Sequence, residues 1–479
     1  MSIPVAVQLC RMSAVALAAA LAMPLATLRA APLTPKAAFD LALQQTPELV
    51  RSRARVAEAK GAVKEAKGHL LPSLDLNVTA STSNDPLNVF GMKLQQRQAT
   101  FNDFGAGQFL AGVDNPDIVN EEVHDLNYPG WYQNFQTELQ LQVPIYNGGQ
   151  VWGGVHRAEA MLAAARHGER LAQQKILFEL IRLFEGIRTA EGYRKAAAQG
   201  VEAAGSYLTL TEKLYAHGVV AETDVLQARV HLGDARLTEA EARKQQAVAM
   251  EGLRVLTGTG DNEPLVLAPG HVTLRQAEGD PHQLAKQAVE GNPGVRALGE
   301  KVQATQAGVT HARAAYKPHV NLVLSQAWND QQIDLANSSG TAALVLQWNV
   351  LDFGSRGGAV DQANAKVIES RGSLRKAQND LQVKVRTAWE DVQLATTRIS
   401  VKQTALSDAS ESARLAQLRY ENGVITFTQL LDAQAELNKA RADLVSARYQ
   451  KVMAGAGLLL ALGRLETAAL TLTGAGAAR

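Results

Sequence analysis

Two kinds of apolar spacing alternate along this chain. From Ser73 to Ala80 the even positions Leu74, Leu76, Val78 and Ala80 are apolar, while Ser73, Asp75, Asn77 and Thr79 are polar. The same period of two runs through Leu139, Leu141, Val143 and Ile145, through Val320, Leu322 and Leu324, and through Leu344, Leu346, Trp348 and Val350. A period of two sends alternate side chains to opposite faces of a strand, so four strands with one apolar face each are predicted. Tyr146, Trp328, Trp348 and Phe353 fall at or near their ends, where a membrane interface favours aromatics.

Helical spacing fills the rest. Runs at 35–71 and 283–317 precede the strands and stop at Pro72 and Pro318. After Gly148-Gly149 and after Gly354, proline-free runs reach Tyr215 and Tyr420, break at Gly218 and Gly423, and resume as far as Gly258 and Gly463. At 1.5 Å per residue the long run spans about 100 Å, and the shorter ones about 50 and 60 Å. Two short helices end to end therefore match one long helix, and such lengths require coiled-coil-like lateral packing.

The pattern is duplicated. LYAHGVVAETDVLQAR from Leu214 is echoed by LRYENGVITFTQLLDAQ from Leu418. Pro47 and Pro293, like Pro72 and Pro318, are offset by 246 residues, whereas Gly149 and Gly354, Tyr215 and Tyr420, and Gly218 and Gly423 are offset by 205. The first half thus holds an insertion of 41 residues (246 − 205) between Pro72 and Gly149. The predicted organisation is a signal peptide at 1–30, a first repeat at 31–258 with a long loop at 84–132, a linker at 259–282, a second repeat at 283–463 and a tail at 464–479. The loop, rich in Asn, Asp, Gly and aromatics, is expected to be a structural lid, and linker and tail to form a small mixed patch.

Composition narrows the address. Arg11, an apolar stretch at 12–28 and Ala30 before Ala31 read as a secretory signal, and the single cysteine, Cys10, would leave with it. No later stretch is long and apolar enough for a membrane helix, so any crossing must be made by strands. The 48 basic and 47 acidic residues are mixed, net +1, which argues against a nucleic-acid partner. Aromatics make up only 5% against 46% hydrophobic residues, as suits closely packed helices. The ten histidines are scattered, and no HExxH, GxSxG or nucleotide loop in a suitable context occurs, so no catalytic residue, cofactor or fixed metal is expected.

Four strands cannot close a barrel alone, and open edges in hydrocarbon cost several kcal/mol for each unpaired backbone group. Copies must share the barrel, and a cyclic homo-oligomer would close it. The duplicated helix-strand-strand-helix plan, the junctions VPIYNGGQ (143–150) and NVLDFGSR (349–356) and the two turns together resemble the TolC-type outer-membrane factor family of Gram-negative bacteria, over nearly the whole mature chain. The resemblance implies a mainly α fold with a small β part: a long antiparallel helical coiled-coil barrel in the periplasm, continued by a transmembrane β-barrel of four strands per chain and twelve in a homotrimer. It further implies a passive outer-membrane export duct surrounded by lipid, working with a periplasmic adaptor (membrane fusion) protein and an inner-membrane RND or ABC pump.

By the same resemblance, a periplasmic gate would join Asp224, just after the first turn, to Tyr420 before the second through a hydrogen bond. The family's gate arginine is replaced by Ile425. Asp432 would form an acidic ring at the entrance, its companion position being Gln429. The turns at Gly218, Val219, Gly423 and Val424 would dock the adaptor. Two other readings stay open on residues alone: a periplasmic helical scaffold that never enters a membrane, and a surface-binding protein acting through the insertion.

Overall fold

A computed structural model describes residues 32–260, 265–275 and 277–473. The expected signal segment at 1–30 and the last residues of the tail lie outside the described residues. The chain runs α1 (Pro35–Gln45), α2 (Pro47–Gly68), β1 (Ser73–Ser83), α3 (Pro86–Gln95), α4 (Ala106–Ala111), α5 (His124–Asn127), β2 (Tyr132–Tyr146), α6 (Gln150–Ala216), α7 (Glu222–Thr257), β3 (His271–Leu274), α8 (Pro281–Gly291), α9 (Pro293–Ala314), β4 (His319–Asp330), β5 (Ser338–Gln347), α10 (Ser355–Glu421), α11 (Phe427–Ala461) and β6 (Leu470–Thr473). Both long helices, α6 and α10, have 67 residues.

The runs before the strands are not single helices, as their spacing suggested. Each breaks before a proline, at Thr46-Pro47 and at Asn292-Pro293. Thr46 and Asn292 both adopt extended backbone, with φ −65° and ψ 122° or 125°. Proline disfavours helical geometry in the residue before it but suits a first helical position. Asn292 also caps α9, its Oδ1 accepting from Gly294 N at 2.8 Å.

Contacts divide the chain into two compact units that each draw on both repeats. One comprises 51–171 with 289–381, the other the described residues of 32–50, 172–288 and 382–473. In the latter, Phe39 of α1, Leu177, Leu180 and Phe184 of α6, Leu253 of α7 and Val272 of β3 form a buried apolar cluster. Here linker and tail meet, β3 pairing antiparallel with β6. The Glu185 carboxylate is buried beside them and accepts from Val272 N at 2.6 Å, with His271 Nδ1 at 3.0 Å.

The other unit holds a four-stranded antiparallel sheet in the order β1-β2-β4-β5. Its register aligns the apolar positions of neighbouring strands: Leu74 faces Leu141, Leu141 faces Leu324, and Leu322 faces Leu344. Directly opposed residues share a face, so one face carries Leu74, Leu76, Leu139, Leu141, Leu324 and Leu344. Leu76 and Leu344 are 64% and 69% exposed. The other face carries Asp75, Asn77, Gln136, Glu138, Gln140 and Ser325. Trp348 and Val350 lie beyond β5, because the chain there already turns toward α10. Trp348 Nε1 donates to Tyr316 O at 3.1 Å, while Arg356 pairs with Asp352 at 2.7 Å and stacks over the Tyr316 ring at 4.9 Å.

The insertion joins β1 to β2 but is more than a loop. Asp85 Oδ1 accepts from Asn88 N at 3.0 Å, which with Pro86 at the first position starts α3; α4, α5 and two single 3₁₀ turns follow.

Candidate functional site

The glycine turns sit between α6 and α7 and between α10 and α11. Gly218 and Gly423 take left-handed backbone, φ 72° and 67°, which glycine adopts without steric cost. Both turns close the same way. Val219 N donates to Leu214 O at 2.9 Å and Gly218 N to Tyr215 O at 2.9 Å; Val424 N donates to Arg419 O at 2.8 Å and Gly423 N to Tyr420 O at 2.9 Å. These are Schellman closures, each satisfying the last helical carbonyls. Val219 and Val424 stand exposed at their tips. The next helices start differently. α7 has no side-chain cap at Ala221, whereas Thr426 and Gln429 close a capping box on α11. Gln429, which the resemblance places at the first of two acidic positions, is therefore engaged with backbone.

Tyr420 is buried, 2% exposed, in a cluster with Tyr207, Phe427 and Leu430, against which the replaced gate position, Ile425, also packs. Its ring lies 5.5 Å from that of Phe427. The expected hydrogen bond to Asp224 is not the one the structure makes: the Tyr420 hydroxyl is 3.3 Å from Thr211 Oγ1. Thr211 commits its own proton to Tyr207 O at 2.8 Å, so Tyr420 donates. The reason is local, since Tyr207 and Thr211 are one helical turn apart on the face of α6 turned to Tyr420. Asp224 is half-buried and acts on Tyr420 through its field. Burial is the main cause that pushes the Tyr420 hydroxyl above its ordinary value; Thr211, able to turn and donate to a tyrosinate, opposes this, and the Asp224 carboxylate adds to the rise.

A second buried bond lies alongside. The Tyr207 hydroxyl donates to Gln434 Oε1 at 2.8 Å, and Gln434 Nε2 donates to Asn438 Oδ1 at 3.1 Å. Burial raises the Tyr207 hydroxyl as well. Tyr207, Thr211 and Gln434 were not singled out in the sequence. The signal was there in the mismatch between repeats: Tyr207 and Thr211 correspond, at the offset of 205, to Ser412 and Ala416. Asp432 lies on α11 and is exposed. Among the described residues no group of three or more His, Cys, Asp or Glu side chains could hold a metal, and no helix is long and apolar enough to cross a membrane.

The outer membrane efflux protein family matches residues 38–259 and 284–464, one stretch in each repeat. The chain is 25% identical over 426 residues to Protein CyaE of Bordetella pertussis, covering 88% of this chain and 80% of that protein. To outer membrane protein TolC of Escherichia coli it is 23% identical over 280 residues, 55% of this chain and 56% of TolC. Its backbone is similar to the crystal structure of outer membrane protein VceC from Vibrio cholerae, with a TM-score of 0.73 at 18% identity over 90% of this chain and 97% of that one. That likeness establishes the fold, mainly helical with a small β part, of the kind that joins a helical barrel to a β-barrel. Matched across both repeats, the chain belongs to the outer membrane efflux protein family.

Proposed function

We propose that three copies of this chain close one twelve-stranded barrel and form the outer-membrane channel of a tripartite efflux or type I secretion system. As a member of its family the chain is a passive export duct of the outer membrane. The observation that carries the assembly is the sheet: an exposed leucine face backed by a polar face, with β1 and β5 at its edges. In hydrocarbon both edges must find partners, and β1 of one copy against β5 of the next supplies them. A periplasmic scaffold has no use for the leucine face.

In this reading the turns at Gly218, Val219, Gly423 and Val424 dock a periplasmic adaptor, which connects the duct to an inner-membrane RND or ABC pump. Tyr420, held by Thr211 under the field of Asp224, keeps the tip of α10 against α6 and serves as the gate. Asp432 rings the entrance. The duct has no catalysis of its own, so its energy comes from the pump. The test is assembly: purified mature protein in detergent should cross-link as a trimer and conduct ions in planar bilayers. A detergent-independent monomer without conductance would overturn the proposal.

A further inference from the structure

The insertion is clamped to the polar face of the sheet. Along β2 the even residues Asn134, Gln136 and Glu138 share that face, and Asn329 of β4 lies on it opposite Gln136. Gln96, at the end of α3 and 1% exposed, docks there. Its Nε2 donates to Asn134 Oδ1 at 2.8 Å and to Gln133 O at 3.0 Å, and Asn134 Nδ2 donates to Asn329 Oδ1 at 3.0 Å. The Tyr132 hydroxyl, on the same face, lies 2.9 Å from Gln96 Oε1, and Lys93 sits 5.6 Å above the Tyr132 ring. Arg97 then adopts a left-handed φ of 56°, unusual for a side chain of its size, and its guanidinium reaches Ser338 O of β5 at 3.0 Å. Val89, Lys93 and Gln96 share the helix face turned to the sheet, while Leu87 and Leu94, one heptad apart, remain exposed on the other.

All these anchors lie at the strand ends remote from α2, α6, α9 and α10, which join the opposite ends. We propose that the insertion is a plug: α3 lies inside the outer mouth of the duct, against the lumen wall, and narrows the opening through which cargo leaves. The inference rests on the duct reading, because the polar face is the inside only in a barrel closed with its leucines outward. Three copies would bring three such helices around one opening.

The test is single-channel current through the mature protein in planar bilayers. Replacing residues 86–130 by a short Gly-Ser turn should raise conductance severalfold. Leu94→Cys, in a chain whose one native cysteine lies in the expected signal segment, should lose current when a bulky maleimide is added. Conductance unchanged by either manipulation in a protein that still forms pores overturns the plug alone. Wild-type protein that forms no pore overturns the duct and the plug together. Should the shortened variant fail to assemble, the Leu94→Cys protein decides by itself.

Discussion

The Tyr207 hydroxyl and Gln434 Oε1 are 2.8 Å apart, both side chains buried, and join the far part of α6 to the start of α11. Removing one partner strands the other in an apolar cluster, which costs about 1–3 kcal/mol, whereas removing both costs less. Tyr207→Phe and Gln434→Leu should each lower the unfolding midpoint in detergent, and the double variant should recover part of the loss. Additive losses would mean the bond contributes nothing of its own.

Tyr420→Phe keeps the ring against Phe427 and deletes the donor to Thr211, so a stability loss of about 0.5–1.5 kcal/mol is expected, with a higher open probability. Asp224→Ala should do less, since Asp224 acts only through its field. A larger effect of Asp224→Ala would show the carboxylate to be the main latch.

Alkali should loosen the same cluster. The Tyr420 and Tyr207 hydroxyls are raised in the fold, so the stabilisation they give is complete below the ordinary tyrosine value of about 10 and is lost as pH climbs through their higher folded values. Conductance is expected to rise above about pH 10, and less in Tyr420→Phe. A profile flat through tyrosine ionisation in wild-type protein contradicts this.

Cobalt hexammine or similar cations should block the pore from the periplasmic side through three copies of Asp432. Asp432→Ala should relieve the block with little change in stability, because the side chain is exposed. Block that persists in full removes Asp432 from the entrance.

Leu76→Lys places a charge on the leucine face and should cost about 2–4 kcal/mol of barrel stability if the site is near the bilayer midplane, whereas Asn77→Lys on the opposite face should cost little. Heat-modifiable gel migration after membrane extraction compares the two.

The strands and turns were legible because their signals are local and come twice: a period of two in Leu74–Ala80 and Val320–Leu324, and a glycine one helix length after each junction. The proline breaks at Thr46 and Asn292 needed only the rule for residues before proline, yet the apolar spacing on either side masked them. Other features depend on distant partners. Thr211 and Tyr420 are 209 residues apart, Tyr207 and Gln434 227, and nothing near either pair shows which side chains will meet. The insertion has no counterpart in the second repeat to calibrate it, so its helices and its hold on Asn134 came only with the folded chain.

The open margins of the sheet have a consequence for biogenesis. A newly secreted subunit exposes two unpaired backbone borders beside a greasy face, and such borders join whatever strand they meet first. Its survival in the aqueous compartment therefore depends on shielding by a holding chaperone or on swift delivery to its siblings, and overproduction beyond that capacity should yield aggregates rather than surplus channels.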